Sequence, residues 1–246
     1  MFGAEVDRII LDAAMADDHE ICGYVLDGKV FFVENQSESP AETFSTQEVP
    51  DDAQAIFHSH PGGPFYPSKL DMQQQMATDI PWAIACTHPQ RNEVFWFGDP
   101  VPSPPLLGRG FRHGVTDCYE LIRDYYWQIH NIRLKQKPRS WEWWHDGERM
   151  YEDNFVDVGF FEVPMSEIAP SDVFLATINS ETPNHAGVYI GDGLILHHVS
   201  SRSGYDPTRL SVIEPAARWM KFLTKVIRNE NDQIDRKTPK GVWFTN

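Results

Sequence analysis

The sequence predicts an α+β protein of two domains, and three observations carry that prediction. Helix-spaced and strand-spaced apolar runs are mixed without the strict alternation of a parallel strand–helix repeat. A chain of 246 residues can bury one generous core or two modest ones. The segment Gly98-Asp99-Pro100-Val101-Pro102-Ser103-Pro104-Pro105 carries four prolines in six residues, which removes backbone donors and reads as a stiff linker. The expected division is residues 1–98, a proline-rich linker over 99–109, and residues 110–246.

In the first domain, Val6, Ile9, Ile10, Ala13 and Ala14 recur at helical spacing. Residues 21–26 and 29–33 flank Asp27-Gly28, a pair suited to a two-residue hairpin turn. Residues 53–57 suggest a further strand, 68–79 a helix, and 82–86 and 93–97 two more strands. The second domain opens with a helix over about 117–129. Residues 135–165 are rich in Trp, Glu and Arg and show no clear period, and Trp141, Trp143 and Trp144 read as core. Residues 173–178, 185–190 and 194–200 suggest strands, and 213–228 is ambiguous between helix and strand.

Composition narrows the function classes. The apolar fraction of 41% and charged fraction of 23% are those of an ordinary globular protein, and no apolar run is long enough to span a bilayer. The N-terminus lacks the basic and apolar regions of a secretion signal, so synthesis in the cytosol is expected. The net charge is −15, and the first 110 residues hold 5 Lys+Arg against 17 Asp+Glu. Such a chain is repelled by nucleic acid and by anionic membranes, so neither is expected as a partner. Cys22, Cys86 and Cys118 are odd in number and fit neither a disulfide framework nor a zinc ribbon.

The first informative run is His58-Ser59-His60-Pro61-Gly62-Gly63-Pro64-Phe65-Tyr66-Pro67-Ser68-Lys69-Leu70-Asp71. The two-residue spacing puts the His58 and His60 imidazoles on one face of an extended segment, and Asp71 follows at a helix start. Two imidazoles and one carboxylate make three zinc ligands and leave a fourth position for water, the arrangement of a catalytic site. Zinc would acidify that water and polarise a carbonyl. Glu20, directly before the strand at 21–26, is the candidate base, and Ser68 can donate to a forming oxyanion. The bland reading of Ser68 and Asp71 is a helix capping box. The joint pattern resembles the JAMM (MPN-type) metalloprotease family, matched at Glu20, His58, His60, Pro61, Ser68 and Asp71. The resemblance implies His58, His60 and Asp71 as zinc ligands, Glu20 as general acid/base and Ser68 at the oxyanion, with isopeptide or related amides as the substrate class.

The second run, Gly114-Val115-Thr116-Asp117-Cys118-Tyr119, places a cysteine at a helix N-terminus, where first-turn amides favour a thiolate. Thr116 can cap that helix, and Leu121, Ile122, Tyr125, Tyr126 and Ile129 make its buried stripe. Cys118 is therefore expected to react below the ordinary thiol range and fastest of the three cysteines. Residues 184–198 read as a hairpin with a histidine on each arm, so that His185 can act as base and a return-strand histidine can fix its tautomer. A two-residue loop at Asp192-Gly193 selects His198. A three-residue loop over 191–193 selects His197, and glycine at both loop ends favours His197.

The set Asp117-Cys118, His185-x-Gly187-x-Tyr189-x-Gly191 and His197 resembles the NlpC/P60 family of cell-wall peptidases. The resemblance implies a papain-like fold and hydrolysis of stem-peptide amides in peptidoglycan. A tyrosine often found upstream of the cysteine in that family has no counterpart here; Phe111 and His113 are nearest. A JAMM-like domain followed by an NlpC/P60-like domain resembles the tail-tip assembly proteins of lambda-like phages. That resemblance implies other phage tail-tip proteins and host peptidoglycan as partners, and a location at the virion tail tip with action at the host cell wall. Alternatives are a structural tail-tip subunit with inactive sites and a cellular JAMM-type isopeptidase.

Overall fold

The structure is a computed structural model and describes residues 1–37, 49–200, 202–231 and 233–237. It divides into two compact units, Met1–Pro102 and Ser103–Asn246. The division falls inside the proline-rich stretch, and the end of that stretch is not a free linker. Leu106 is buried in the core of the second unit, Ser211 Oγ donates to the Leu106 carbonyl, and the Arg109 amide donates to Ser211 Oγ. The prolines deny residues 100–105 a helix, but Leu106 has apolar surface to bury and follows it into the second unit.

The first unit runs α1 (Ala4–Met15), β1 (Cys22–Leu26), β2 (Lys29–Val33), β3 (Ala55–Pro61), α2 (Lys69–Thr78), β4 (Trp82–His88) and β5 (Arg91–Phe97). The sheet order is β2-β1-β3-β4-β5, antiparallel except for the β3–β4 pair that α2 connects. Asp27 and Gly28 both take positive φ, as a type I′ hairpin turn requires. Val6, Ile10 and Ala14 form the buried stripe of α1 and pack against Val25, Ala55, Phe57, Ala83 and Ala85. Alternation then sends His58 and His60 to the opposite sheet face. The β3 strand runs four residues beyond the expected 53–57 segment, because parallel pairing continues to Pro61 opposite Thr87.

The second unit runs β6 (Gly110–Arg112), α3 (Cys118–His130), α4 (Met150–Asn154), β7 (Phe160–Val163), β8 (Val173–Ala176), β9 (His185–Gly191), β10 (Leu194–His197), β11 (Tyr205–Leu210), β12 (Val212–Pro215) and β13 (Leu223–Asn229). Six strands form an antiparallel sheet in the order β12-β10-β9-β8-β13-β7, and β6 pairs with β11 separately. The ambiguous 213–228 segment is two strands separated by a 3-10 turn at Ala216–Arg218. The core lies between α3 and one sheet face, with Leu121, Ile122, Tyr125 and Tyr126 against Val173, Leu175, Ala186 and Val188. Trp143 joins this core, while Trp141 and Trp144 are half-buried and meet edge to face.

Asp117, not Thr116, caps α3. Its Oδ1 accepts from the amides of Tyr119 and Glu120, whereas the Thr116 hydroxyl donates to the Gly110 carbonyl. Asp117 Oδ2 accepts from the Gly114 amide at 2.7 Å. Arg139, 1% exposed, closes the arrangement with bonds to both Asp117 oxygens and to Glu120. The guanidinium and the N–H donors hold the Asp117 carboxyl well below the usual carboxylate range despite its burial. Removing one partner strands buried charge, so Arg139→Met should lower stability in urea unfolding by about 3–5 kcal/mol. Arg149→Met, at an exposed pair with Glu152, should leave the same curve essentially unchanged. Equal effects of the two substitutions would refute the assignment of Arg139 as the clamp.

Candidate active sites

In the first unit, the β1–β3 register sets Cys22 opposite His58, so Glu20, two residues before Cys22, leads onto the sheet face that carries both imidazoles. Ser59 lies between the two histidines and points the other way. Its Oγ accepts from the Ile21 amide at 3.0 Å, and its own amide donates to the Ile21 carbonyl, which pins the Glu20 segment to β3. His58 Nε2 and His60 Nε2 stand 3.0 Å apart, and they lie 3.3 Å and 3.6 Å from the two oxygens of Asp71. His60 Nδ1 is 2.9 Å from the Pro64 carbonyl, which requires a proton on Nδ1 and leaves Nε2 a lone pair.

Asp71 serves two purposes. It completes a reciprocal capping box with Ser68, donating its amide to Ser68 Oγ and accepting the Ser68 amide at 2.7 Å. It also presents its carboxylate to the imidazoles, which hold it well below the usual carboxylate range against the effect of burial. The capping box therefore leaves the Asp71 carboxylate against the two imidazoles. Ser68 is exposed, and as a cap it uses only a lone pair, so its hydroxyl proton is still available. Burial pushes Glu20 up to about 7; His60 opposes the rise and Asp71 adds to it. The donor atoms of His58, His60 and Asp71 all lie within 4.8 Å of one another. A tetrahedron built on zinc bonds of about 2.1 Å has edges of about 3.4 Å, so this donor set fits zinc.

In the second unit, Gly187 pairs with His197, and His185 and His197 share one face of the β9–β10 hairpin. His185 Nε2 and His197 Nδ1 are 3.1 Å apart. The register comes from a different turn than either loop length alone predicts. Asp192 and Gly193 both have positive φ and make a two-residue turn, and a bulge between Leu194 and Ile195 shifts the ladder by one residue. Gly187 is needed at its place, because a Cβ there would sit 2.7 Å from His197 Cβ. His198 points elsewhere, its ring nitrogens 2.5 Å and 2.8 Å from the carbonyls of Thr116 and Arg209.

Cys118 is the first residue of α3 and is partly buried. Its Sγ lies 3.2 Å from Tyr151 Oη. Among the described residues the side-chain hydrogen bond of Sγ is to Tyr151, not to His185. The register explains this. Ala186 and Val188 face α3, so His185 on β9 and His197 on β10 lie on the opposite sheet face. Burial, reinforced by the Asp117 carboxylate, pushes the Cys118 thiol up to about 11. Burial also lowers His185 well below its ordinary value. The expected thiolate is thus corrected: desolvation outweighs the helix N-terminus, and the resting pair is a neutral thiol and a neutral imidazole.

Three contributors to this site carried no signal in the sequence. Tyr151 comes from the segment without a period, and its buried phenol stays protonated beside Cys118. Glu214 Oε1 lies 2.7 Å from His197 Nε2, and Trp219 covers both imidazoles with ring centroids 5.3 Å from His185 and 4.5 Å from His197.

Residues 4–98 match the family model described as prokaryotic homologs of the JAB domain, and residues 108–224 match the NlpC/P60 family. The tail tip assembly protein K of Escherichia phage lambda is 39% identical over 158 residues, covering 64% of this chain and 75% of that protein. The tail tip assembly protein K of Escherichia phage N15 is 31% identical over 217 residues, covering 79% and 84% respectively. The chain belongs to the tail tip assembly protein K family. The family's two domain types account for the α+β fold and its division into two units. The JAB match contains Glu20, His58, His60, Ser68 and Asp71, and the NlpC/P60 match contains Cys118, His185, His197 and Glu214. No helix among the described residues is long and apolar enough to cross a membrane.

Cys22 and Cys86 are fully buried, so access still ranks Cys118 first toward an alkylating agent. Because its thiol is raised, the Cys118 rate should climb steadily from pH 7 to pH 10. A plateau below pH 8, followed by mass spectrometry of iodoacetamide adducts, would contradict a protonated resting thiol.

Proposed function

We propose that the chain is a phage tail-tip protein whose second unit hydrolyses amide bonds in the stem peptides of host peptidoglycan. The observation that supports this most is the position of Cys118 at the start of α3, together with the paired His185 and His197 on the β9–β10 hairpin. In this reading Cys118 is the nucleophile and His185 the general base. His197 orients His185, and the raised thiol gives up its proton as it attacks. Tyr151, a phenol at the sulfur, is the donor placed to hold Sγ at rest. A rotation of the Cys118 side chain from Tyr151 toward His185 is the motion the reaction needs.

The first unit is read as a zinc-dependent (iso)peptidase-type site. His58, His60 and Asp71 would hold the ion, which supplies an acidified water and a polarised carbonyl. Glu20, with a carboxyl raised to about 7, is suited to take and return a proton near neutral pH, and Ser68 has a hydroxyl proton to offer an oxyanion. The relatives named for tail tip assembly favour a second role, as a subunit that docks with other tail-tip proteins in the virion.

Two measurements test these readings. Digestion of purified muropeptides, followed by mass spectrometry, should show cleaved stem peptides with the full chain and a loss of roughly 10³-fold or more with Cys118→Ala. Cleavage by the variant at the wild-type rate would remove Cys118 from the chemistry, and no cleavage by either would leave the assembly role. Metal analysis of protein purified with zinc present should find about one equivalent in the wild type and little in His58→Ala. Equal zinc contents would sink the metal assignment.

A further inference from the structure

We propose that Glu214 is a positioning residue that fixes the tautomers of His197 and His185 in series. This rests on the reading of His185 as the base for Cys118, and it concerns a residue outside the cysteine and the two histidines.

The argument is one of proton counting. A carboxylate only accepts hydrogen bonds. Glu214 Oε1 lies 2.7 Å from His197 Nε2, so that nitrogen carries a proton. A neutral imidazole has one donor and one acceptor nitrogen, so His197 Nδ1 is bare. His185 Nε2, 3.1 Å away, must then be the donor. The remaining nitrogen of His185, Nδ1, is left with its lone pair, which is what a general base needs. A proton on the wrong nitrogen of either ring would pass down the pair and block that lone pair.

The surroundings keep Glu214 an acceptor. Its Oε1 also accepts from Trp219 Nε1 at 2.7 Å, and its Oε2 lies 3.2 Å from Arg218 Nη1. Burial is the largest single influence and raises the carboxyl, but these donors and His197 together hold it below its ordinary value. Both imidazoles are lowered by burial, so the one-donor, one-acceptor count applies at neutral pH. The β10–β12 register places Glu214 opposite Ile195, which shares a sheet face with His197, so the carboxylate reaches the ring from a rigid neighbouring strand. The Trp219 ring lies over both imidazoles and shields the pair from water, which would otherwise offer either ring a competing partner.

The test compares Glu214→Met, which removes the acceptor at similar length, with Glu214→Gln, whose amide oxygen can still accept from His197 and Trp219. The full chain, with ¹⁵N-labelled histidine, is examined by long-range ¹H–¹⁵N NMR at neutral pH. The wild type should show His185 and His197 as Nε2–H tautomers. Glu214→Met should turn both into mixtures, and Glu214→Gln should restore the wild-type pattern. In muropeptide digestion, Glu214→Met should lower kcat by about 10- to 100-fold with KM unchanged, and Glu214→Gln should recover most of it. A wild-type Nδ1–H signal on either ring overturns the proposal, and that spectrum decides even if Glu214→Met does not fold. Unchanged tautomers in Glu214→Met also overturn it. Tautomers that respond as expected in a wild type that cleaves no muropeptide would uphold the role of Glu214 and refute the peptidase reading instead.

Discussion

The buried carboxylate of Asp117 sets the geometry of the second unit. It ends the loop after β6 by accepting the Gly114 amide, starts α3 by accepting the amides of Tyr119 and Glu120, and is itself held by Arg139. A buried carboxylate persists only with such a set of donors, and they come from three stretches of chain: the loop at Gly114, the first turn of α3 and Arg139. Satisfying it therefore fixes where α3 begins, and with it where Cys118 stands. The same charge also raises the thiol, so the residue that positions the nucleophile keeps it protonated at rest.

The first unit uses a related device. Asp71 is the third residue of α2 and completes a capping box through Oδ2, while Oδ1 is turned to His58 and Oδ2 lies toward His60. In both units a helix N-terminus is aligned by a carboxylate whose position follows from backbone bonding. Sheet alternation supplies the rest. In the first unit, α1 covers one face and the other carries the donor set. In the second, α3 covers the face of Ala186 and Val188, and the imidazoles lie on the reverse under Trp219.

Much of this was legible along the chain. The hairpin at Asp27-Gly28, the helix stripe of Val6, Ile10 and Ala14, and the extended segment with His58 and His60 follow from local periodicity and turn chemistry. The pairing of Gly187 with His197 was expected from a three-residue loop. Glycines at 191 and 193 do mark an irregular turn, but the extra residue is accommodated as a bulge rather than in a longer loop. The capping of α3 was assigned one residue early, because Thr116 and Asp117 are both good caps and only the loop's path selects between them.

The sequence by itself determined which residue types were available and which local faces they occupied, since helix and strand periods depend on near neighbours alone. It carried the candidate set Glu20, His58, His60, Ser68, Asp71, Cys118, His185 and His197. Tertiary structure alone decided the second ring of partners: Tyr151 at the sulfur, Glu214 at His197, Trp219 over the imidazoles and Arg139 at Asp117. Each lies from 17 to 34 residues away along the chain from the groups it serves. Such pairings have no periodic signature, because they are set by how sheet and helix pack. The protonation state of Cys118 belongs with them. Desolvation is a property of the assembled core, and it reversed what the helix terminus alone would have given.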